Sequence, residues 1–198
     1  MNYEIIYDFL TQPKVAIAKI KVERPWLLSV LVVTFAVFTQ NISIFQFFML
    51  GRKDILFSLS IYFLLRLVLI FIIWFFLTAV FHSLAQFFGG QGRTEELFLS
   101  FGFSFLPLFF LLPISLLSYF FLVKEFLATG WRVFLFYNFL NFFLFFWILR
   151  LQIMSIKEIY GLPLRRAILV YFLPFLFLLT IAVLLVGIFV FSLIFFLR

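Results

Sequence analysis

Cysteine is absent, histidine occurs once, and only eight residues are Asp or Glu. Without cysteine there is no disulfide framework and no thiolate nucleophile or metal ligand. Charge of either sign is scarce, at 12% of residues against about 25% in soluble domains. Neither H-E-x-x-H nor G-x-S-x-G occurs. What fills the 198 positions instead is apolar: 67% of residues are hydrophobic, and Phe alone contributes 37. This composition excludes a soluble enzyme and a disordered tail. The length allows one domain. The remaining class is an all-α, polytopic transmembrane helix bundle.

The spacing of charges divides that bundle. Uncharged runs of 27, 26, 27, 17 and 31 residues follow Arg24, Arg66, Glu96, Arg132 and Arg166. A membrane helix needs about 20 mostly apolar residues to cross a hydrocarbon core of about 30 Å. Four runs clear that length, and the fourth qualifies because Arg132 and Arg150 can snorkel at its ends. Five spans are expected, at about 26–50, 66–88, 97–123, 131–150 and 167–197. The runs are continuous rather than alternating, which excludes a barrel. Residues 55–65 are left over and read as an interfacial or re-entrant stretch that leaves Arg66 at the headgroups. Residues 1–25 read as a cytosolic lead-in that stays attached. Its Val15, Ile17, Ala18 and Ile20, set among Lys14, Lys19 and Lys21, predict a short amphipathic helix on anionic headgroups.

Five spans place the termini on opposite sides. The side holding the N-terminus and the loops at 89–96 and 151–166 carries nine Lys and Arg. The other carries Arg52, Lys53, Lys124, Arg132 and Arg198. The excess of positive charge predicts a cytoplasmic N-terminus and an external C-terminus. The formal net charge of +7 follows from these loops and forms no nucleic-acid-binding stripe. Phe105-Leu106-Pro107 and Phe172-Leu173-Pro174 each follow a loop with Gly then Arg, an arrangement that a duplicated helix–loop–helix or chance repetition would produce.

Chemistry has few candidates. Every Asp and Glu lies outside the expected spans, so an intramembrane proton site is missing from the pattern. Ser104 and His82 without an orienting acid make a poor triad. No catalytic residue, cofactor site or metal site is expected. The intramembrane polar residues are Arg66, His82, Asn138 and Asn141. The two Asn share a helix face and read as interhelical glue or as substrate-lining groups. Thr39, Gln40, Asn41, Ser43 and Gln46 mark a wet interface or a pore mouth. Pro107 and Pro113 remove backbone donors within the third span. Gly102 is expected to admit a neighbouring helix, from the second or fourth span, and Ser104 to satisfy a freed backbone group. Gly89, Gly90 and Gly92 let the preceding loop fold tightly.

The run His82-Ser83-Leu84-Ala85-Gln86-Phe87-Phe88-Gly89-Gly90-Gln91-Gly92, followed by Phe101-Gly102-Phe103-Ser104-Phe105-Leu106-Pro107, resembles the Yip domain family. The eukaryotic members of that family were named for interacting with Ypt/Rab GTPases. Gly102, Ser104 and Pro107 match the family's Gly-Tyr-Ser-Leu-x-Pro-like motif, with Phe103 in place of Tyr and Phe105 in place of Leu. Pro13, Glu23-Arg24-Pro25-Trp26 and Arg165-Arg166-Ala167 resemble prokaryotic members. The resemblance implies five spans, a cytosolic N-terminus, no enzymatic activity and a scaffold or trafficking role, here in a prokaryotic cytoplasmic membrane. The long N-terminal region with Asp-Leu-Tyr-Gly-Pro seen in eukaryotic members has no counterpart in this sequence, so GTPase binding is not expected. The expected partners are the lipid bilayer and other proteins, or a second copy, met through membrane helices. The alternative reading is a permease or channel component for a small molecule or lipid.

Overall fold

The structure is a computed structural model. It describes the backbone of residues 2–48, 55–116 and 130–196, and the side chains of 4–41, 60–116, 135–193 and 195–196. Helix and turn account for the described residues, with no strand among them. Helices α1 (Asn2–Thr11) and α2 (Pro13–Glu23) form a hairpin around Gln12. Pro13 stands in the first turn of α2, where a missing N–H leaves nothing unsatisfied. Arg24 closes α2 in the left-handed region at φ 46°, and its N–H bonds to the carbonyl of Ile20. The chain then enters α3 (Trp26–Phe48), followed by α4 (Ile55–Phe87) and α5 (Thr94–Phe103). A 3-10 segment, Leu106–Phe110, succeeds α5, and the chain is helical again over 111–116. Two long helices complete the bundle: α6 (Gly130–Tyr160) and α7 (Leu164–Phe196).

Four stretches are long and apolar enough to cross a membrane: Ser60–Phe87, Thr94–Leu116, Leu135–Tyr160 and Leu164–Leu193. Trp26–Asn41 is a shorter apolar helix that continues as backbone to Phe48. The chain is an all-α membrane bundle.

Three sequence expectations change. Residues 55–65 are neither re-entrant nor separate, because they are the first turns of the 33-residue α4. At 1.5 Å per residue that helix is about 50 Å long, more than a bilayer core requires. Residues 151–160 are not loop. They continue α6, because Leu151, Ser155, Ile156, Ile159 and Tyr160 share a buried face while Lys157 and Glu158 stand on the other. The apolar face of α2 does not meet headgroups either. Ala16, Ile17 and Ile20 are buried in the protein core, together with Ile5 and Phe9 of α1.

That core occupies one end of the bundle. It joins the α1–α2 hairpin, the start of α3, the second half of α4, α5, the last turns of α6 and the first turns of α7. Phe81 stacks on Tyr171 and meets the edge of Phe101, while Phe9 lies against Phe103. The other end holds a small cluster of Ala36, Leu108, Leu111 and Leu144. Beyond Tyr171 the described residues of α7 are exposed, Pro174 being half-buried. Pro174 itself interrupts no helix, whereas the helix of α5 gives way to a 3-10 turn around Pro107. The two Pro motifs therefore occupy different settings.

Candidate functional site

The residues singled out in the sequence gather where α5 crosses α3 and α4 and where the 88–93 turn meets α6. Gly102 is buried on α5. A Cβ there would collide with Ser29 Oγ and lie 2.6 Å from Cζ2 of Trp74. A missing side chain thus lets three helices meet, with the neighbours coming from the first and second spans. Ser29 Oγ donates to the carbonyl of Leu99 at 3.1 Å, and Trp74 Nε1 donates to that of Phe98 at 3.1 Å. The Trp74 ring stacks on Phe98 at 3.8 Å between centroids. One turn on, Ser104 Oγ donates to the carbonyl of Phe101 at 2.6 Å, beside the break that Pro107 imposes. Ser100 and Ser155 share a 2.7 Å hydroxyl contact that ties α5 to α6.

The turn after α4 is equally close-fitting. Gly89 takes φ +86°, the left-handed conformation that Gly adopts without steric cost, and the Gly90 N–H bonds back to the carbonyl of Ala85. A Cβ on Gly90 would lie 2.7 Å from Cβ of Tyr160, and one on Gly92 would lie 2.7 Å from Cγ2 of Ile159. The end of α6 is therefore pressed into a glycine-lined cradle. Tyr160 OH also makes a 2.6 Å hydrogen bond with His82 Nδ1 on α4. Lys21 of α2 reaches the same end and donates to the carbonyls of Glu158 and Ile159 at 3.2 and 3.4 Å. A cation on exposed helix-terminal carbonyls is favourable through hydrogen bonding and the helix dipole. Lys14 pairs with the Glu158 carboxylate at 3.6 Å. On the hairpin, Lys19 bonds Asp8 at 2.7 Å and Glu4 at 3.4 Å. The Asp8 hydrogen bond, opposed in part by desolvation, holds the Lys19 ammonium above the ordinary lysine pKa. Trp26 Nε1 and Arg24 both engage Glu95.

His82 and Ser104 are not brought together, since each is bonded elsewhere. Among the described residues, no buried side-chain polar atom lacks a hydrogen-bond partner. Farther along the bundle, Arg66 donates to Gln40 at 2.6 Å and Asn41 at 3.1 Å. Asn141 turns its Nδ2 to the carbonyl of Tyr137 on its own helix, and Asn138 stands exposed on the same helix. Ser43, Gln46, Arg52, Lys53, Lys124, Arg132 and Arg198 lie outside the described side chains.

Sequence reading missed Ser29, Trp74 and Tyr160, and it set Lys21 among headgroups rather than on the end of α6. Trp74 carried one signal, as an indole set in a run of Phe, Ile and Leu, whose N–H needs an acceptor when buried.

No curated protein and no solved structure matches the chain. The profile of the Yip1 domain matches residues 7–187. That range takes in the second half of α1, all of α2, the glycine cradle, the α5 crossing and most of α7. Most of the core and its close-packed glycines thus lie inside a single family match, and the chain belongs to the Yip1 domain family.

Proposed function

We propose that this integral membrane protein is a non-enzymatic scaffold or membrane-organisation factor that acts through helix and loop contacts. One observation carries the reading. The side chains best suited to chemistry are spent on joining helices: Ser29 to α5, Ser100 to Ser155, and His82 to Tyr160. The result is a packed body built from the α1–α2 hairpin and the ends of α4 to α7, with Arg93, Arg165, Arg166 and Lys14 on its outer surface. The Lys and Arg excess supports a cytoplasmic position for this body, where proteins or anionic headgroups would meet it.

The test is mild crosslinking and co-purification from native membranes. The cysteine-free chain accepts a single reactive Cys, for example Arg93→Cys, without background. A protein recovered in constant proportion to the chain, and lost with charge reversal at Arg93, Arg165 and Arg166, is the expected result. A solute recovered in place of a protein would overturn the reading in favour of a permease. A cytoplasmic reporter fused after Arg198 should be silent, and a strong signal would reverse the assigned orientation.

A further inference from the structure

Arg66 is a permanent cation at the middle of a long apolar helix segment. On α4 the exposed side chains include Leu64, Leu65, Val68, Leu69, Phe75 and Phe76, and polar Ser83 and Gln86 join them further on, beside an exposed Phe87. On α6 the same change falls between Phe146 and Arg150. Trp26, Thr78, Thr94 and Glu95 line one surface cavity of about 290 Å³, so they stand at a common level. An indole bonded to a carboxylate at that level is a typical membrane-boundary arrangement. Counted along α4 at 1.5 Å per residue, Arg66 lies about 18 Å from Thr78 and about 16 Å from Ile55. Both distances are close to half of a hydrocarbon core of about 30 Å. The surplus length of α4 therefore belongs to the cytoplasmic body, and Arg66 belongs to the bilayer centre rather than to its headgroups.

At that depth the guanidinium has two neutral acceptors. Asn41 Oδ1 is aimed at it because Asn41 Nδ2 is tied to the carbonyl of Val37, and Gln40 supplies the other oxygen. Five N–H groups are available on Arg, and among the described residues two are seen to be used. Among the described residues no carboxylate pairs with Arg66. A second copy of the chain offers none at this depth either, since no Asp or Glu occurs at 24–53, 55–94, 97–124, 126–157 or 159–198. A headgroup phosphate lies about 15 Å away, beyond the reach of an arginine side chain. The flanking exposed residues Tyr62, Leu65 and Leu69 present an apolar surface of the kind that another membrane helix covers.

We propose that Arg66, oriented by Gln40 and Asn41, is the docking point for a transmembrane helix of a different protein that carries an Asp or Glu at mid-membrane. This rests on the scaffold reading and names the chemistry of its partner.

The test reconstitutes the full chain in phosphatidylcholine vesicles with a labelled Leu/Ala transmembrane peptide that bears one central Asp, at a pH above its pKa in the membrane. The comparison peptide carries Asn at the same place. Energy transfer should report at least about tenfold tighter association of the Asp peptide, the loss of a charge-assisted contact being of that size. Arg66→Gln should erase the preference and Arg66→Lys should keep part of it. Equal association of the two peptides with the unmodified chain overturns the proposal without recourse to any variant. So does a preference that survives Arg66→Gln, or one that phosphatidylglycerol in the vesicles abolishes, which would assign the site to a lipid phosphate. A protein that still co-purifies from native membranes in these failing cases leaves the scaffold reading standing.

Discussion

At the end that holds the packed core Phe9, Phe81, Phe101 and Phe103 are buried, whereas at the far end Phe136, Phe139, Phe142 and Phe143 stand exposed. The residue type is the same and its surroundings differ. Where polar side chains line the outer surface, water drives apolar groups inward and a dense core forms around α5. Where the surface is hydrocarbon, lipid tails solvate Phe as well as a neighbouring helix does, and that driving force is gone. Shape and a few polar contacts must hold the far ends together, and among the described residues the small cluster around Leu144 and the bonds of Arg66 to Gln40 and Asn41 do so.

Substitutions at matched pairs should expose this difference. The largest effect is expected for Phe81→Ala, which empties a space between Tyr171 and Phe101 and should cost about 3–5 kcal/mol. Phe139→Ala, at a residue 69% exposed, should shift stability by no more than about 0.5 kcal/mol. Thermal unfolding in detergent measures both, and equal losses would dissolve the distinction between the two ends. Glycines give the next pair. Gly102→Leu forces a side chain into Ser29 and Trp74 and should cost about 1–3 kcal/mol, with loss of monodispersity. Gly187 faces open space on α7, so Gly187→Leu should behave as the unmodified chain does. Ser104→Ala should be milder than Gly102→Leu.

A smaller loss is expected for Lys21→Met, which uncaps the end of α6 and should cost about 1 kcal/mol. Hydrogen exchange at Lys157–Leu162 should rise with it while the far half of α6 stays unchanged. The smallest effect concerns pH. Because Lys19 has a raised pKa in the folded chain, its contribution is complete below the unfolded lysine value. It fades as pH rises through the folded value. Melting temperature should therefore fall more in alkali for the unmodified chain than for Lys19→Met, and parallel curves would show that the Asp8 contact adds nothing.

The all-α membrane class and the family were legible in the sequence, because charges are too few and too far apart for anything else. Helix ends were less legible. A run of apolar residues states that a helix can cross, but not which part of it does. For α4 the apolar stretch runs from Ser60 to Phe87, on both sides of Arg66, and is longer than a crossing requires. Charges at Arg150, Lys157 and Glu158 hid ten residues of helix, since a charged stripe opposite a buried one looks like loop in a linear count. On α2 the apolar face was visible, yet nothing in the sequence said that it would be met by α5 and α6. At the α5 crossing, Gly102 and Pro107 were readable as a contact and a break. Ser29 and Trp74 were not, because their importance comes from partners 70 and 24 residues away.

The capping of α6 by Lys21 also imposes an order on biogenesis. Lys21 and the carbonyl it bonds on Glu158 are 137 positions apart. At 5–20 residues per second, synthesis separates them by about 7–30 s. During that interval the α1–α2 hairpin is complete, but the end of α6 that covers Ile17 and Ile20 does not exist. The hairpin must wait beside the emerging spans with only α5 to meet its apolar face, and its packing is complete only when the end of α6 has been made. Docking of the hairpin therefore reports that the end of α6 has been correctly threaded.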